Sequence, residues 1–231
     1  MAATMSSDCP LLEYDPDTSA MIEPSSHFGA AAHERPDVPS TGVACFFGDV
    51  VTRISREREA RLVTHLVAEN GLNSVFELEY RGTALAFWQA GLGAPLSAGF
   101  LDEMIDYGCR TVVACGGAGA LDANLALGHV VVVSEALRDE GTSFHYLPAS
   151  RTVSCDPEVV AVLESVLEAG AVPHVTGCSW STDAIYRETR AKVARRHEEG
   201  CLTVEMEASA LLAVAQFRGA RLGQYLYAGD S

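Results

Sequence analysis

Short apolar runs alternate with segments of helical spacing from residue 42 to the end of the chain. Four of these runs are rich in β-branched residues and apolar on both faces: GVACFFG (42–48), TVVAC (111–115), GHVVVVSEA (128–136) and VPHVTGCS (172–179). A strand that is apolar on both faces needs a cover on each side, which is typical of parallel sheets flanked by helices. The chain is therefore predicted to be α/β, a single-domain three-layer sandwich with a central mixed, mostly parallel twisted sheet flanked by helices.

The segments between these runs predict the covering helices and a hairpin. Apolar residues at helical spacing predict helices over 55–69, 96–107, 156–169, 188–199 and 204–217. In the first of these, Leu62, Val63 and Leu66 are expected to face inward. VFELEY and TALAFWQ flank Arg81-Gly82 and predict a hairpin over 75–89, and a last strand is expected near 222–227.

The first forty residues differ in composition from the rest of the chain. They are rich in Pro, Ser, Asp and Ala, with only short apolar patches. This composition predicts an arm over 1–40 that is extended or partly disordered. Residues 41–231 are long enough to form one domain with a substantial core.

Charge and cysteine content limit the partners and the compartment. The formal net charge is −15, which disfavours a nucleic acid as partner because binding to its backbone depends on Lys and Arg. Seven cysteines without a C-x-x-C motif predict neither a disulfide framework nor a zinc site. There is no apolar run of about 20 residues and no basic flank leading into one, so the sequence predicts no membrane span, no signal peptide and a cytoplasmic location.

Two strands are predicted to end in glycine-rich turns that open helices, AGLGAP (90–95) and GGAGAL (116–121). In parallel sheets ligands bind at the carboxyl ends of strands, where such backbone approaches an anion or a sugar. The dinucleotide-binding fingerprint fails at both places, because its sixth position is Leu96 or Asp122. Neither G-x-S-x-G nor G-x-x-x-x-G-K-[ST] occurs, so hydrolase-elbow and P-loop chemistry are not indicated.

Two carboxylates stand at the start of the most apolar helical segment, Glu205 and Glu207. Acids in a first helical turn can serve only to satisfy free backbone N–H groups. On a helix, a spacing of two places these side chains about 200° apart, so a capping role and a ligand role would fall to different residues.

Four motifs follow one another in a specific order. They are the run from GLGAP (91–95) to SEA (134–136), STDAIYRET (181–189), VEMEASALLAVAQFRGA (204–220) and YLYAGDS (225–231). Together they resemble the nucleoside phosphorylase and nucleosidase superfamily, in particular the uridine and purine phosphorylase branch with hexamer-forming members. The resemblance covers roughly residues 42–231. It implies an enzyme that cleaves the N-glycosidic bond of a nucleoside, without a metal or an organic cofactor, as a homo-oligomer (dimer or hexamer).

The resemblance implies roles for the two acids and for the end of the chain. Glu207 would accept hydrogen bonds from the ribose 2′- and 3′-hydroxyls, Met206 would pack on the sugar, and Glu205 would be the supporting or capping acid. Asp230 matches the general acid that protonates a purine ring nitrogen, which favours a purine substrate. Three glycines would line the sugar and nucleophile pocket: Gly93, Gly116 and Gly117.

Base recognition is implied for the segment around Ile185 and Tyr186, which matches the place where relatives present apolar and aromatic groups. His145 is a further candidate for contact with the sugar or base. The segment 179–182 lacks the glutamine–arginine insertion with which uridine-specific members recognise a pyrimidine. Arg187 lies nearby, so a pyrimidine remains an alternative.

The phosphate site departs from the family pattern. The position of the family's phosphate-binding arginine is Ala114, and the G-D-P-x-R motif of the first strand corresponds to Gly48 and Asp49 with the arginine shifted to Arg53. The resemblance implies phosphorolysis to ribose 1-phosphate, with inorganic phosphate as co-substrate. The missing arginine leaves hydrolysis open, with Asp49 as base for a water. A nucleoside-binding protein with little catalysis is a third reading, disfavoured by the presence of both Glu207 and Asp230.

Overall fold

The computed structural model describes residues 9–24 and 36–230. The described residues form one ten-stranded sheet and six α-helices. The strands are β1 (Thr41–Cys45), β2 (Arg61–Ala68), β3 (Gly71–Tyr80), β4 (Thr83–Gln89), β5 (Thr111–Ala120), β6 (Val130–Asp139), β7 (Thr152–Ser154), β8 (His174–Thr182), β9 (Cys201–Glu205) and β10 (Arg221–Asp230). The helices are α1 (Gly48–Glu57), α2 (Ala94–Asp106), α3 (Ser143–Tyr146), α4 (Pro157–Ala169), α5 (Arg190–Glu198) and α6 (Ala208–Arg218).

The sheet is mixed, and part of it closes on itself. β1 lies between β4 and β5 and is parallel to both, while β4, β3 and β2 form an antiparallel meander. β5 is parallel to β10, β10 is antiparallel to β6, and β6, β8 and β9 are parallel in turn. Two residue pairs between β9 and the end of β5, Val204 with Gly119 and Thr203 with Ala120, complete the ring. The predicted α/β architecture is confirmed, and this closure gives the sheet a barrel-like part.

The helix α6 lies at the centre of the packing. Its residues 208–215 are all buried, and it packs against α2 and against the sheet. The core between them includes Trp88, Phe100, Met104 and Leu211, each at most 2% exposed. A helix without a polar face is stable only when protein covers it on all sides, as is the case here.

Several sequence-predicted elements occur as expected. The hairpin of β3 and β4 turns at Arg81-Gly82. The helix predicted over 156–169 is α4, and the side chain of its N-cap Asp156 accepts a hydrogen bond from the backbone N–H of Glu158 at 2.9 Å. The predicted arm over 1–40 stays a prediction: within its described parts, a short 3-10 turn at Pro10–Leu12 and a hydrogen bond from Arg218 to the carbonyl oxygen of Thr18 are present.

The predicted helix over 55–69 is wrong. Helix α1 already ends at Glu57, and β2 begins at Arg61, after Glu59 adopts a left-handed backbone with φ of 49°. β2 pairs with β3, and Leu62 pairs with Phe76 while Thr64 pairs with Val75, so Val63 is the extra residue of a β-bulge. The bulge reverses the alternation of faces. The apolar residues of this segment therefore have a helix-like spacing although the segment is a strand interrupted by a bulge.

The glycine-rich segment 116–121 is also different from the prediction. It opens no helix, because β5 continues through it to Ala120 and pairs with the end of β10. Glycine is required at 116 because a Cβ there would lie 2.8 Å from the ring of Phe46.

The VEMEA segment, predicted as the start of a helix, is the end of a strand followed by a helix. Glu205 is the last residue of β9, and Glu207 is the N-cap of α6.

The strand assignment of 61–68 can be tested by two alanine substitutions. A helix would place Leu62 and Leu66 on the same inward face, whereas in the structure Leu66 is fully buried and Leu62 is 48% exposed. Leu66→Ala should lower the free energy of unfolding by about 2–5 kcal/mol because it leaves a cavity. Leu62→Ala should change it by less than about 1 kcal/mol. Urea unfolding measures both, and equal losses would contradict the bulged strand.

Candidate active site

A cavity of about 420 Å³ lies where the carboxyl ends of β5, β9 and β10 meet. Ring closure by β9 brings these strand ends together, and the segments after β4 and β8 complete the wall. The lining residues are Leu92, Gly117, Ala118, Gly119, Ile185, Glu188, Val204, Glu205, Met206, Glu207 and Gly229. The cavity therefore combines glycine backbone, apolar side chains and three carboxylates, and its size is that of a small-molecule site.

The carboxylate of Glu207 is held in place by backbone donors. Its Oε1 accepts a hydrogen bond from the backbone N–H of Gly93 at 2.7 Å, and its Oε2 accepts one from the N–H of Met206 at 3.2 Å. Gly93 has a φ of 83°, a conformation that favours glycine, and this turns its N–H toward the carboxylate. The glycine turn after β4 thus orients Glu207 across a separation of 114 residues.

Burial changes the acidity of Glu207. The residue is only 5% exposed. This burial raises the pKa of its carboxyl group to about 7, and the neighbouring charge of Glu205 adds to the increase. The hydrogen bonds from Gly93 and Met206 act in the opposite direction, since they favour the ionised form. A carboxylate with such a pKa changes its charge near neutral pH.

Glu205 is used entirely within the protein. Its Oε2 accepts hydrogen bonds from the backbone N–H groups of Glu207 at 2.7 Å and Ala208 at 2.6 Å, at the start of α6. Its Oε1 accepts hydrogen bonds from the hydroxyls of Ser181 at 2.6 Å and Ser179 at 3.2 Å, both on β8. Burial raises the pKa of Glu205, while these four donors favour its ionised form. The capping role predicted for Glu205 agrees with this geometry.

The serines on β8 were missed as site residues by the sequence reasoning. The strand predicted to end at residue 179 continues to Thr182. Ser179 and Ser181 therefore lie on the same face of β8, and both donate hydrogen bonds to Glu205. The hydroxyl of Ser181 also accepts a hydrogen bond from the backbone N–H of Ser209 at 2.9 Å. The i, i+2 spacing of two serines next to a buried strand was the signal that could have indicated this support.

The predicted base-binding residues lie in different places. Ile185 lines the cavity, whereas Tyr186 is 95% exposed and does not. His145 lines a separate cavity of about 330 Å³ together with residues 17–20 of the arm. Within this single chain, the structure therefore brings only Ile185 of these three residues next to Glu207 and Met206.

The predicted phosphate residues lie outside the cavity. Gly48 lines another cavity, of about 370 Å³, beside Gln89, and Asp49 and Arg53 are exposed on α1. Two aromatic rings lie between α1 and the cavity. The ring centroid of Phe47, the residue before α1, is 5.7 Å from that of Tyr227, and the ring of Tyr227 lies next to Gly117. Gly117 lines the cavity, whereas Gly116 faces Phe46.

The strand position that precedes the glycines carries no charge. Ala114 is fully buried in the core, where it pairs with Gln224 of β10. Among the described lining residues there is no lysine or arginine. The predicted general acid, Asp230, pairs through its backbone with Gly119 of the cavity wall, and its side chain lies outside the part of the structure that is described.

No three His, Cys, Asp or Glu side chains in residues 9–24 and 36–230 are grouped so that they could hold a metal ion. No helix in the same ranges is both long enough and apolar enough to cross a membrane.

Comparison with known proteins gives consistent matches. A family model described as the phosphorylase superfamily matches residues 40–230. A guanosine phosphorylase from Halorubrum lacusprofundi is 31% identical over 160 residues, which cover 69% of this chain and 66% of the relative. A uridine phosphorylase from Thermococcus kodakarensis is 27% identical over 158 residues, 63% of this chain and 57% of the relative. The chain thus spans less than two thirds of the length of these curated relatives.

A solved structure shares the fold. The crystal structure of a uridine phosphorylase from Vibrio fischeri ES114 superimposes with a TM-score of 0.75 at 28% sequence identity. The superposition covers 84% of this chain and 80% of the other.

The raised pKa of Glu207 predicts a pH-dependent effect of Glu207→Gln on stability. Between the ordinary pKa of 4.5 and about 7 the folded state binds more protons than the unfolded state, so wild-type stability falls as pH rises through this window. In Glu207→Gln the side chain carries no charge at any of these pH values, so this loss of stability does not occur. Relative to wild type, the variant should gain up to roughly 3 kcal/mol between pH 4 and pH 8. Urea unfolding at several pH values measures the difference, and parallel pH profiles would contradict it.

Proposed function

Because the chain belongs to the phosphorylase superfamily, we propose that it cleaves the N-glycosidic bond of a nucleoside, with a purine favoured and inorganic phosphate as the nucleophile. The products are the free base and ribose 1-phosphate. The observation that carries this proposal is the buried Glu207 carboxylate, oriented by the N–H of Gly93 in a cavity of nucleoside size.

Glu207 suits the recognition of ribose and of the charge that develops on it. In glycosidic cleavage the bond from C1′ to the base nitrogen lengthens before the new bond forms, and the sugar becomes oxocarbenium-like. A carboxylate that accepts hydrogen bonds from the 2′- and 3′-hydroxyls orients the ring and favours the positive charge. In a buried site this interaction is stronger than in water and requires no rearrangement during the reaction.

The departing base must accept the electron pair of the broken bond. We assign Asp230 as the group that protonates a purine ring nitrogen, which makes the base a better leaving group. The pairing of its backbone with Gly119 supports this role, because Gly119 forms the cavity wall opposite Val204. Met206 and Ile185 supply apolar contacts for the sugar and base.

Phosphate as nucleophile is supported by the relatives, which are a guanosine and a uridine phosphorylase. Of the phosphate contacts that the family resemblance implies, we propose the backbone of 117–119, which lines the cavity; Gly48 and Arg53 lie outside the cavity of this single chain. A homo-oligomer, dimer or hexamer, is part of the same proposal, and so is a cytoplasmic location. No metal or organic cofactor takes part in the proposed reaction.

Hydrolysis is the second candidate, and one observation favours it specifically. The described lining residues include no lysine or arginine, while three of them are glutamates. A phosphate dianion is normally held by arginine or lysine, whereas a water molecule needs no such partner. In that case the sugar product is free ribose.

One assay separates the two reactions and tests Glu207. The purified protein is incubated with purine and pyrimidine nucleosides, with and without inorganic phosphate, and the sugar product is identified. Phosphorolysis gives ribose 1-phosphate only when phosphate is present, and hydrolysis gives ribose in both cases. Binding without any turnover would contradict both reactions and indicate a nucleoside-binding protein.

In the same assay Glu207→Ala should lower kcat/KM by about 10²–10³-fold. It removes the carboxylate that faces the sugar while circular dichroism remains that of the wild type. Glu168→Ala, a substitution at an exposed acid on α4, is the matched control and should keep full activity. Normal turnover by Glu207→Ala would exclude the assignment of Glu207 to the ribose.

The activity should also follow the ionisation of Glu207. Because the carboxylate must be charged to favour the cationic sugar, kcat/KM at saturating phosphate should rise with pH and level off above about 7. Glu207→Gln should lack this ascending limb, whatever its residual rate. A wild-type profile that is flat between pH 5 and 8 would be inconsistent with this role.

A further inference from the structure

A second buried carboxylate, Glu140, reaches the start of α6. It directly follows β6 and is only 4% exposed. Its Oε1 accepts a hydrogen bond of 2.9 Å from the hydroxyl of Ser209, a fully buried residue in the first turn of α6. The reaction proposed above gives Glu140 no role. Its side chain nevertheless contacts the same helix start that carries Glu207.

Glu140 is held in the frame of the sheet. The backbone N–H of Ser143 donates a hydrogen bond to its Oε2 at 3.0 Å, and the hydroxyl of Ser143 donates one to its Oε1. That hydroxyl accepts in turn from Nε of Arg138, on β6, at 2.8 Å. Beside Glu140, the N–H of Gly141 donates to the carboxylate of Asp183, just after β8, at 2.8 Å. The contact of Glu140 with α6 therefore joins the helix to the sheet.

This contact belongs to a longer chain of hydrogen bonds. The hydroxyl of Ser209 donates its single proton to Glu140. The backbone N–H of Ser209 donates to the hydroxyl oxygen of Ser181 at 2.9 Å, and Ser181 donates its own proton to Glu205 at 2.6 Å. Glu140 and Glu205 thus lie at the two ends of one chain that passes through the first turn of α6. A buried network in which each donor has an acceptor favours a single arrangement of its members.

Two anchors restrain the helix start more than one does. Glu205 accepts hydrogen bonds from two backbone N–H groups of α6, which fixes the position of the helix start but not its rotation. Glu140 binds the side chain of Ser209 from a different strand end, which opposes rotation. We propose that Glu140 is a positioning residue: through Ser209 it sets the rotation of α6 at which the carboxylate of Glu207 meets the sugar. This rests on the proposed function. Neither Glu140 nor Ser209 is among the described residues that line the cavity.

Ser209→Ala tests the proposal without leaving a buried carboxylate unpartnered, because Glu140 keeps both donors of Ser143. The variant should lower kcat by about 10-fold with KM nearly unchanged. A small displacement of Glu207 weakens its interaction with the charged transition state more than that with the neutral sugar. Ser165→Ala, which removes an exposed hydroxyl on α4, is the matched control and should keep full activity.

Double-mutant cycles separate positioning from a general loss of structure. In the Glu207→Ala background, Ser209→Ala should change kcat/KM by less than about twofold, because the carboxylate that it displaces is gone. In the Glu140→Gln background it should also add less than about twofold, because the contact between the two residues is already impaired. An equal loss in the wild-type and Glu207→Ala backgrounds would overturn the proposal, and so would full activity of Ser209→Ala.

Amide hydrogen exchange gives a readout that does not depend on turnover. The N–H of Gly93 donates to Glu207 at 2.7 Å. In Ser209→Ala this amide should exchange about 10-fold faster, whereas the amides of the β3–β4 hairpin should exchange as in wild type. Unchanged exchange at Gly93 would overturn the role of Glu140 while nucleoside cleavage stands. Conversely, faster exchange confined to Gly93 in a protein that cleaves no nucleoside would overturn the proposed function alone.

Discussion

The buried carboxylate of Glu205 joins the two parts of the structure on which the cavity depends. It accepts two hydrogen bonds from the first turn of α6 and two from hydroxyls on β8. A charged group in the interior is tolerated only with such complete hydrogen bonding, and any partial arrangement would leave donors unsatisfied. Glu205 therefore fixes the position of the α6 N-terminus relative to the sheet, and with it the position of Glu207.

Sheet closure and the glycine turn after β4 also determine what surrounds Glu207. The two pairs between β9 and the end of β5 bring Val204 beside Gly119, so that three strand ends form one wall. The turn at Gly93 presents a single backbone N–H to Glu207. The two acids of VEMEA thus differ in their surroundings: the protein itself supplies four hydrogen-bond donors to Glu205, whereas Glu207 lines the cavity and has a raised pKa.

Several site residues could be predicted from local sequence, but the full set of residues that surround the cavity could not. The VEMEA and GLGAP motifs indicated Glu207, Met206 and Gly93, and the structure brings all three to one cavity or its edge. His145 and Tyr186 were singled out by motif position alone, and the structure places neither on the cavity wall. Ser181 escaped notice because its contacts with Glu205 and Ser209 depend on which strand and helix face each other, which no local pattern contains.

The sequence by itself determined the α/β class, most element types and the pair of acids, because hydrophobic periodicity and composition act within a few residues. Tertiary structure decided the rest. Residues 61–68 form a bulged strand because β3 supplies hydrogen-bond partners, and 116–120 stays extended because β10 lies beside it. Hydrogen-bond partners on strands that are distant in sequence outweigh local propensity. The reason is that each buried backbone group must form a hydrogen bond, and its partner in space is often far away in the sequence.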